Sequence, residues 1–145
     1  MAELLCDWGI STFLLHSGHS TVVLKGAPSR TSGWTLSLSR PDRKEVEIKR
    51  LVLKKGAVSC SGLSKGLRII DPKTGRPVRS KIAAWALAPT GTWADALSTA
   101  FMVMPPSLIS KLLERRRELG ALLLLDERPN KEKPKVLILG KFRNL

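Results

Sequence analysis

No tyrosine occurs in the 145 residues; cysteine and histidine appear twice each, and aromatic residues make up 5%. Each shortage excludes something. Cys6 and Cys60 form no CxxC pair and stand at no metal-ligand spacing, which argues against a zinc ribbon or a disulfide scaffold. Both read as buried small hydrophobes. His16 and His19 make an HxxH across a Ser17-Gly18 turn, but no third ligand stands nearby, so a metal reading has little support. No apolar run approaches the roughly 20 residues of a membrane span, and ALLLL from Ala121 is strand-sized. The opening MAELLCDWGI lacks a basic n-region and a small-residue cleavage site, so the expectation from the chain as written is cytoplasmic. There is no Ser-His-Asp grouping, P-loop or GxGxxG.

Acidic residues are also few: 12 against 25 lysines and arginines, a net charge of +13. The basic residues gather in Arg40 to Lys55, Lys65 to Lys81, Lys111 to Arg117 and Arg128 to Arg143. None of these stretches carries the interleaved aromatics of a base-stacking platform. They fit a solvated basic surface or a site for a polyanionic small molecule such as a nucleotide. Nucleic acid is not the expected partner, and a basic nucleic-acid-binding module is the third reading. With 43% hydrophobic residues the chain is expected to form a single domain over residues 1–145.

Periodicity outlines that domain. Ala2 to Trp8 has a helical pattern that stops at Gly9. Ile10 to Leu15 and Thr21 to Lys25 read as strands, as do Gly33 to Leu38 and Glu45 to Leu53, the last with Val46, Ile48, Leu51 and Leu53 as inward candidates. Short strands are expected at Ala57 to Cys60 and Leu67 to Ile70. Ile82 to Ala88 suits a buried central strand, with Trp85 in the core. Helices are expected at about Trp93 to Met104 and Ser107 to Leu119, the second ended by Gly120. Ala121 to Leu125 and Val136 to Leu139 close the sheet across a polar loop. The sum is an α+β fold with a mixed, mainly antiparallel sheet and helices packed on one side.

Two constellations carry chemistry. In Asp71-Pro72-Lys73-Thr74-Gly75, aspartate accepts from the backbone two residues on, proline fixes φ, and glycine takes the left-handed conformation. Ile69-Ile70 and Arg76-Pro77 flank the turn and stiffen it. Rigid loops at strand ends are where ligand groups get placed. Asp95 and Thr99 are four apart and share a helix face among small residues. A carboxylate and a hydroxyl with that much space suit a hydrated Mg²⁺ that also takes oxygens from a ligand phosphate. The structural alternative is a capping box, Thr92 as N-cap and Asp95 at N3, with Thr99 bonded back to the carbonyl of Asp95. Trp93, at the helix start, suits either the core or a pocket wall. Arg115 to Arg117 mostly face solvent.

Read together, Ser61-Gly62, IIDPKTGRPV (Ile69 to Val78), LAPT (Leu87 to Thr90) and ADALSTAF (Ala94 to Phe101) resemble the C-terminal half of the ApbE-like family, the FAD:protein FMN transferases. The resemblance implies an enzyme that uses Mg²⁺ to cleave the pyrophosphate of FAD. It then joins FMN through a phosphoester to a threonine or serine of an acceptor protein. It implies Asp95 and Thr99 as Mg²⁺ ligands and Ile69 in contact with FAD; Arg68, Asp71 and Thr74 on the same loop complete the expected FAD site. The family usually has a histidine, a catalytic base, where this chain has Arg68, and an arginine is no base at neutral pH. Arginine at that point remains able to clamp a phosphate. The hairpin between Ser61-Gly62 and the turn is short, and Gly18-His19 replaces a glycine pair. The resemblance further implies that the family's N-terminal half, which brings a further metal ligand, is absent. No catalytic residue is therefore assigned, and the enzyme class stays open. The alternative is a non-catalytic remnant that binds a flavin, a nucleotide or a partner.

Overall fold

Residues 84–88 alternate alanine with larger apolar residues, and that alternation sets the layers of the fold. A computed structural model describes residues 1–18, 20–126 and 134–145. The chain runs α1 (Ala2–Asp7), β1 (Phe13–Ser17), β2 (Thr21–Lys25), β3 (Trp34–Ser39), β4 (Glu47–Leu53), β5 (Lys55–Gly62), β6 (Ile70–Asp71), β7 (Arg76–Pro77), β8 (Lys81–Ala88), α2 (Gly91–Val103), α3 (Pro106–Arg115), β9 (Gly120–Leu125) and β10 (Lys135–Gly140). Short 3-10 turns occupy Leu63–Lys65 and Lys141–Asn144.

Six strands form one sheet in the order β1-β2-β5-β8-β9-β10, every ladder antiparallel. Side chains alternate across a strand. On β8, Ala84, Ala86 and Ala88 therefore face α2 and α3, in a core with Ala94, Phe101, Met102 and Ile109. Trp85 and Leu87 face the other way, under the separate β3–β4 hairpin and Phe142. The helices lie on one side, and Trp85 is in the core as its surroundings in the sequence suggest. Gly9 closes α1 as expected: at φ +77° its N–H donates to Cys6 and that of Ile10 to Leu5, a Schellman pair.

Several local expectations fail for identifiable reasons. Leu67 to Ile70 is not a strand. Gly66 sits at φ +93° and the N–H of Arg68 bonds to the Gly66 carbonyl, which turns the chain before a ladder can start. Only Ile70 and Asp71 pair, with Pro77 and Arg76. Val46 lies outside its strand and is exposed, whereas Leu51 and Leu53 are buried. The second helix ends at Arg115, and Gly120 opens β9 instead of ending the helix. Much of the polar loop after Asp126, like His19, lies outside the described residues.

Lys81 joins the sheet to the helices. It is 3% exposed, and its Nζ donates to the carbonyls of Met102 (3.0 Å) and Met104 (2.8 Å) at the end of α2. A cation there satisfies carbonyls that have no partner within the helix and suits the negative end of its dipole. Lys81→Met should lower the free energy of unfolding by about 1–3 kcal/mol in urea titrations, since one buried and one part-buried carbonyl lose their donor. Burial also holds the lysine pKa below its ordinary 10.5. As pH rises from the folded-state value towards 10.5, the unfolded chain binds the proton that the folded chain has released. Stability should therefore climb with pH across that window, and the difference curve against Lys81→Met should show the climb.

Candidate functional site

Helix α2 begins unusually close to the sheet. A Cβ built on Gly91 would lie 2.8 Å from Cγ2 of Val23, so glycine is what permits this approach. The cap is Thr90, whose hydroxyl accepts from the Trp93 N–H at 3.3 Å, and not Thr92 as the sequence suggests. The true cap stands two residues earlier, so Asp95 is not drawn into a capping box. Trp93 is 46% exposed, with the Arg116 guanidinium stacked 4.9 Å from its ring centroid, so it belongs to neither the core nor this site.

Asp95 and Thr99 share the exposed face of α2 that looks across to β2 and β5. Thr21 and Ser59 are direct cross-strand partners, with hydroxyls 2.9 Å apart. Ser59 donates to Asp95 Oδ1 at 3.2 Å, and Thr21 lies 3.4 Å from the same oxygen. One strand position further along the same face, Ser61 Oγ is 2.9 Å from both Ser98 Oγ and Thr99 Oγ1. Ser98 donates to the Asp95 carbonyl at 2.9 Å; Thr99 reaches that carbonyl only at 3.4 Å. Among the described residues every hydrogen bond of the Asp95 carboxylate falls on Oδ1. The residue as a whole is exposed.

No group of three or more His, Cys, Asp or Glu side chains comes together among the described residues. The donors at this point are instead one carboxylate and a set of hydroxyls. All are hard oxygens, and they fit a cation that keeps several waters and takes the rest of its shell from a ligand, as magnesium does. They do not fit zinc or another metal that prefers sulfur and nitrogen.

The turn forms by the predicted mechanism. Asp71 Oδ1 accepts from the Lys73 N–H at 2.9 Å, its carbonyl accepts from Thr74 and Gly75, and Gly75 sits at φ +65°. Thr74 Oγ1 accepts from the Arg76 N–H at 3.3 Å, so the side chains of Asp71 and Thr74 are both engaged within the turn itself. Arg68 is exposed. Ile69 packs against the helix-side core that also takes Leu97, and its carbonyl receives the Val78 N–H at 2.9 Å. The structure thus brings Asp95 and Thr99 together, and Asp71 with Thr74. No hydrogen bond among the described residues joins the two pairs.

Sequence reasoning missed Thr21, Ser59 and Ser98. The signal was present: Ser59 and Ser61 stand two apart in a strand and so share a face, and Ser98 lies one turn from Asp95. What the sequence did not show is that this face meets α2.

A groove of about 640 Å³ lies beyond the other end of β2, lined by Phe13, Leu24 and Leu87 with Cys6, Lys25 and Lys55. It contains none of the predicted site residues. Cys6 is exposed there, with Lys25 Nζ donating to its sulfur at 3.2 Å, so the expectation of a buried thiol fails. The short α1 buries none of its residues.

A lone carboxylate among hydroxyls on one helix face offers hard oxygens, which suit an oxygen-bound cation rather than a nucleophile. The ApbE family model matches residues 1–123, and the chain belongs to that family. The FAD:protein FMN transferase of Escherichia coli (strain K12) is 28% identical over 126 residues, which cover 79% of this chain and 36% of that protein. This chain therefore spans about a third of that relative's length. The ApbE protein of Thermotoga maritima superposes with a TM-score of 0.80 at 25% identity, over 98% of this chain and 47% of that one. The Pseudomonas stutzeri flavinyl transferase ApbE, apo form, gives 0.80 at 24% over 99% and 48%.

The two cysteines should differ sharply in reactivity. Burial pushes the Cys60 thiol up to about 12, whereas Cys6 is exposed. One thiol per folded chain should react promptly with a disulfide reagent at mildly alkaline pH, and the second, half-buried Cys60, far more slowly until the chain unfolds. In Cys6→Ser the prompt phase should vanish; a prompt phase that survives would place the reactive thiol at Cys60.

Proposed function

We propose that this chain provides the magnesium and diphosphate side of an FAD:protein FMN transferase site. The observation that carries the reading is the pairing of Asp95 and Thr99 on one exposed helix face, with the carboxylate's second oxygen unengaged among the described residues. Family membership and the Escherichia coli relative supply the reaction class. In that reaction a threonine or serine hydroxyl of an acceptor protein attacks the FMN phosphorus. A new P–O bond forms, the pyrophosphate P–O bond breaks, and AMP leaves.

The residues here divide the work as follows. Asp95 Oδ2 and the Thr99 hydroxyl would hold Mg²⁺, with remaining positions for water and phosphate oxygens. When bound, the ion neutralises diphosphate charge and stabilises the charge that develops at the bridging oxygen. Arg68, exposed beside the turn, supplies a fixed positive charge and planar donors to a phosphate. Ile69 presents an apolar edge to the flavin nucleotide, and the closed turn with Asp71 and Thr74 holds both in place. Of the two carboxylates, the ion would occupy that of Asp95, and that of Asp71 is tied to the Lys73 N–H within the turn; the other side chains carry no base. The chain's share is therefore binding and orientation.

A second reading, Mg²⁺-dependent flavin binding without transfer, is favoured by Arg68 standing where a base is needed. The two separate experimentally. FAD fluorescence should be quenched by the chain in a Mg²⁺-dependent manner, and Asp95→Asn should raise the Mg²⁺ concentration for half-saturation about tenfold or more. Equal response with and without the carboxylate would remove the metal assignment. Covalent flavin fluorescence on an acceptor protein then decides between transfer and binding alone.

A further inference from the structure

Each hydroxyl owns one proton, and that count orders the hydroxyl cluster. The carbonyl of Asp95 only accepts, so the proton of Ser98 is committed to it at 2.9 Å. Ser98 must then accept from Ser61 across their 2.9 Å contact. The Ser61 proton is now spent, so the equally short contact to Thr99 is filled by the Thr99 proton. Thr99 thus donates inward, and both of its lone pairs are left for an outside cation. The other arm works similarly. Asp95 Oδ1 only accepts; Ser59 is its nearer donor, and Thr21 donates to Ser59 at 2.9 Å. That chain holds Oδ1 inward and turns Oδ2 out.

We infer that Ser61 and the Thr21–Ser59 pair are positioning residues for a divalent cation: two strand-borne hydroxyl chains that set the lone-pair direction of Thr99 and the rotation of the Asp95 carboxylate. This rests on the magnesium reading above. Ser59 and Ser98 are fully buried, so neither bulk water nor ligand can replace them in these chains. A hydroxyl free to turn would point its hydrogen at the ion in part of its population. A carboxylate free to rotate would share both oxygens between the serines and the ion. Fixing both removes that loss before binding, which is how partners behind metal ligands raise affinity.

The test uses the full chain, with FAD fluorescence quenching read against Mg²⁺ and, as an independent signal, the free Mn²⁺ resonance in titrations with Mn²⁺ alone. Ser61→Ala should raise the half-saturating concentration of both ions about tenfold, within the range for such partners. Ser61→Thr, which keeps the hydroxyl, should recover most of it. Thr21→Val keeps the shape of the side chain and should give a smaller rise of the same kind. Urea midpoints of Thr21→Val and Ser61→Thr, and FAD affinity without metal, should match the parent. If Ser61→Ala and Thr21→Val bind both ions like the parent while Asp95→Asn does not, the inference fails and the magnesium reading stands. If the parent itself shows no response to either ion, both fall. A rise in Ser61→Ala that Ser61→Thr does not reverse assigns Ser61 to packing and overturns its positioning role.

Discussion

The close approach of α2 to strands β5 and β8 is the constraint on which the rest depends. Ala84, Ala86 and Ala88 face the helices from β8, Gly91 lets α2 start against Val23, and Ala94 and Ser98 are buried on the helix side. A larger side chain at any of these positions forces helix and sheet apart, at a cost of about 1–3 kcal/mol in a packed core. The same closeness lets serine and threonine, the shortest polar side chains, reach one another across the interface. Core packing and site geometry are therefore one arrangement, and the small residues that appear only to fill space also set the hydroxyl distances.

The charge is distributed differently from the structure that supports the fold. Ion pairs among the described residues are Arg40–Asp42, Arg50–Glu47 and Arg116–Glu118, all at the surface. Each contributes about 1 kcal/mol or less. Most of the surplus of 13 positive charges is thus not spent on folding. It generates a field that concentrates anions near the surface and is screened by salt. In the proposed function that field acts on a diphosphate before any specific contact forms. The directional part of recognition is left to a few oxygens on α2 and its neighbouring strands.

Much of this was legible from residues alone where one physical rule acted locally. The Asp71 to Gly75 turn followed from the side-chain acceptor, the proline and the left-handed glycine, and it forms as read. Gly9 ended its helix for the same sort of reason. The central strand and Trp85 were visible because Ile82 to Ala88 is an apolar run of strand length. Legibility stopped where a distant element decided the outcome. Gly66 overrode the strand propensity of Leu67 to Ile70. Thr90 displaced Thr92 as the cap because the helix starts where the sheet lets it. Cys6 looked like core until α1 proved to bury nothing. The motif resemblance reached Asp95, Thr99 and Ser61, but Thr21, Ser59 and Ser98 gain their meaning only from the β2–β5 register and the α2 contact.

The hydroxyl chains also bear on what Arg68 implies. Serine and threonine hydroxyls stay neutral throughout the ordinary pH range, so an arrangement built from them orients its carboxylate and its threonine without a titrating relay. In the proposed function, orientation of a cation and acceptance of a proton are then separable tasks. A histidine at position 68 would join the second task to this chain; an arginine removes it and adds permanent positive charge for phosphate instead. The chain can lose the proton acceptor and still keep every hydrogen bond that shapes the Asp95 and Thr99 face, because none of those bonds involves residue 68. The substitution is therefore compatible with the cation site of the proposed function. In the proposed reaction it transfers the acid–base question to whatever group approaches with the acceptor hydroxyl.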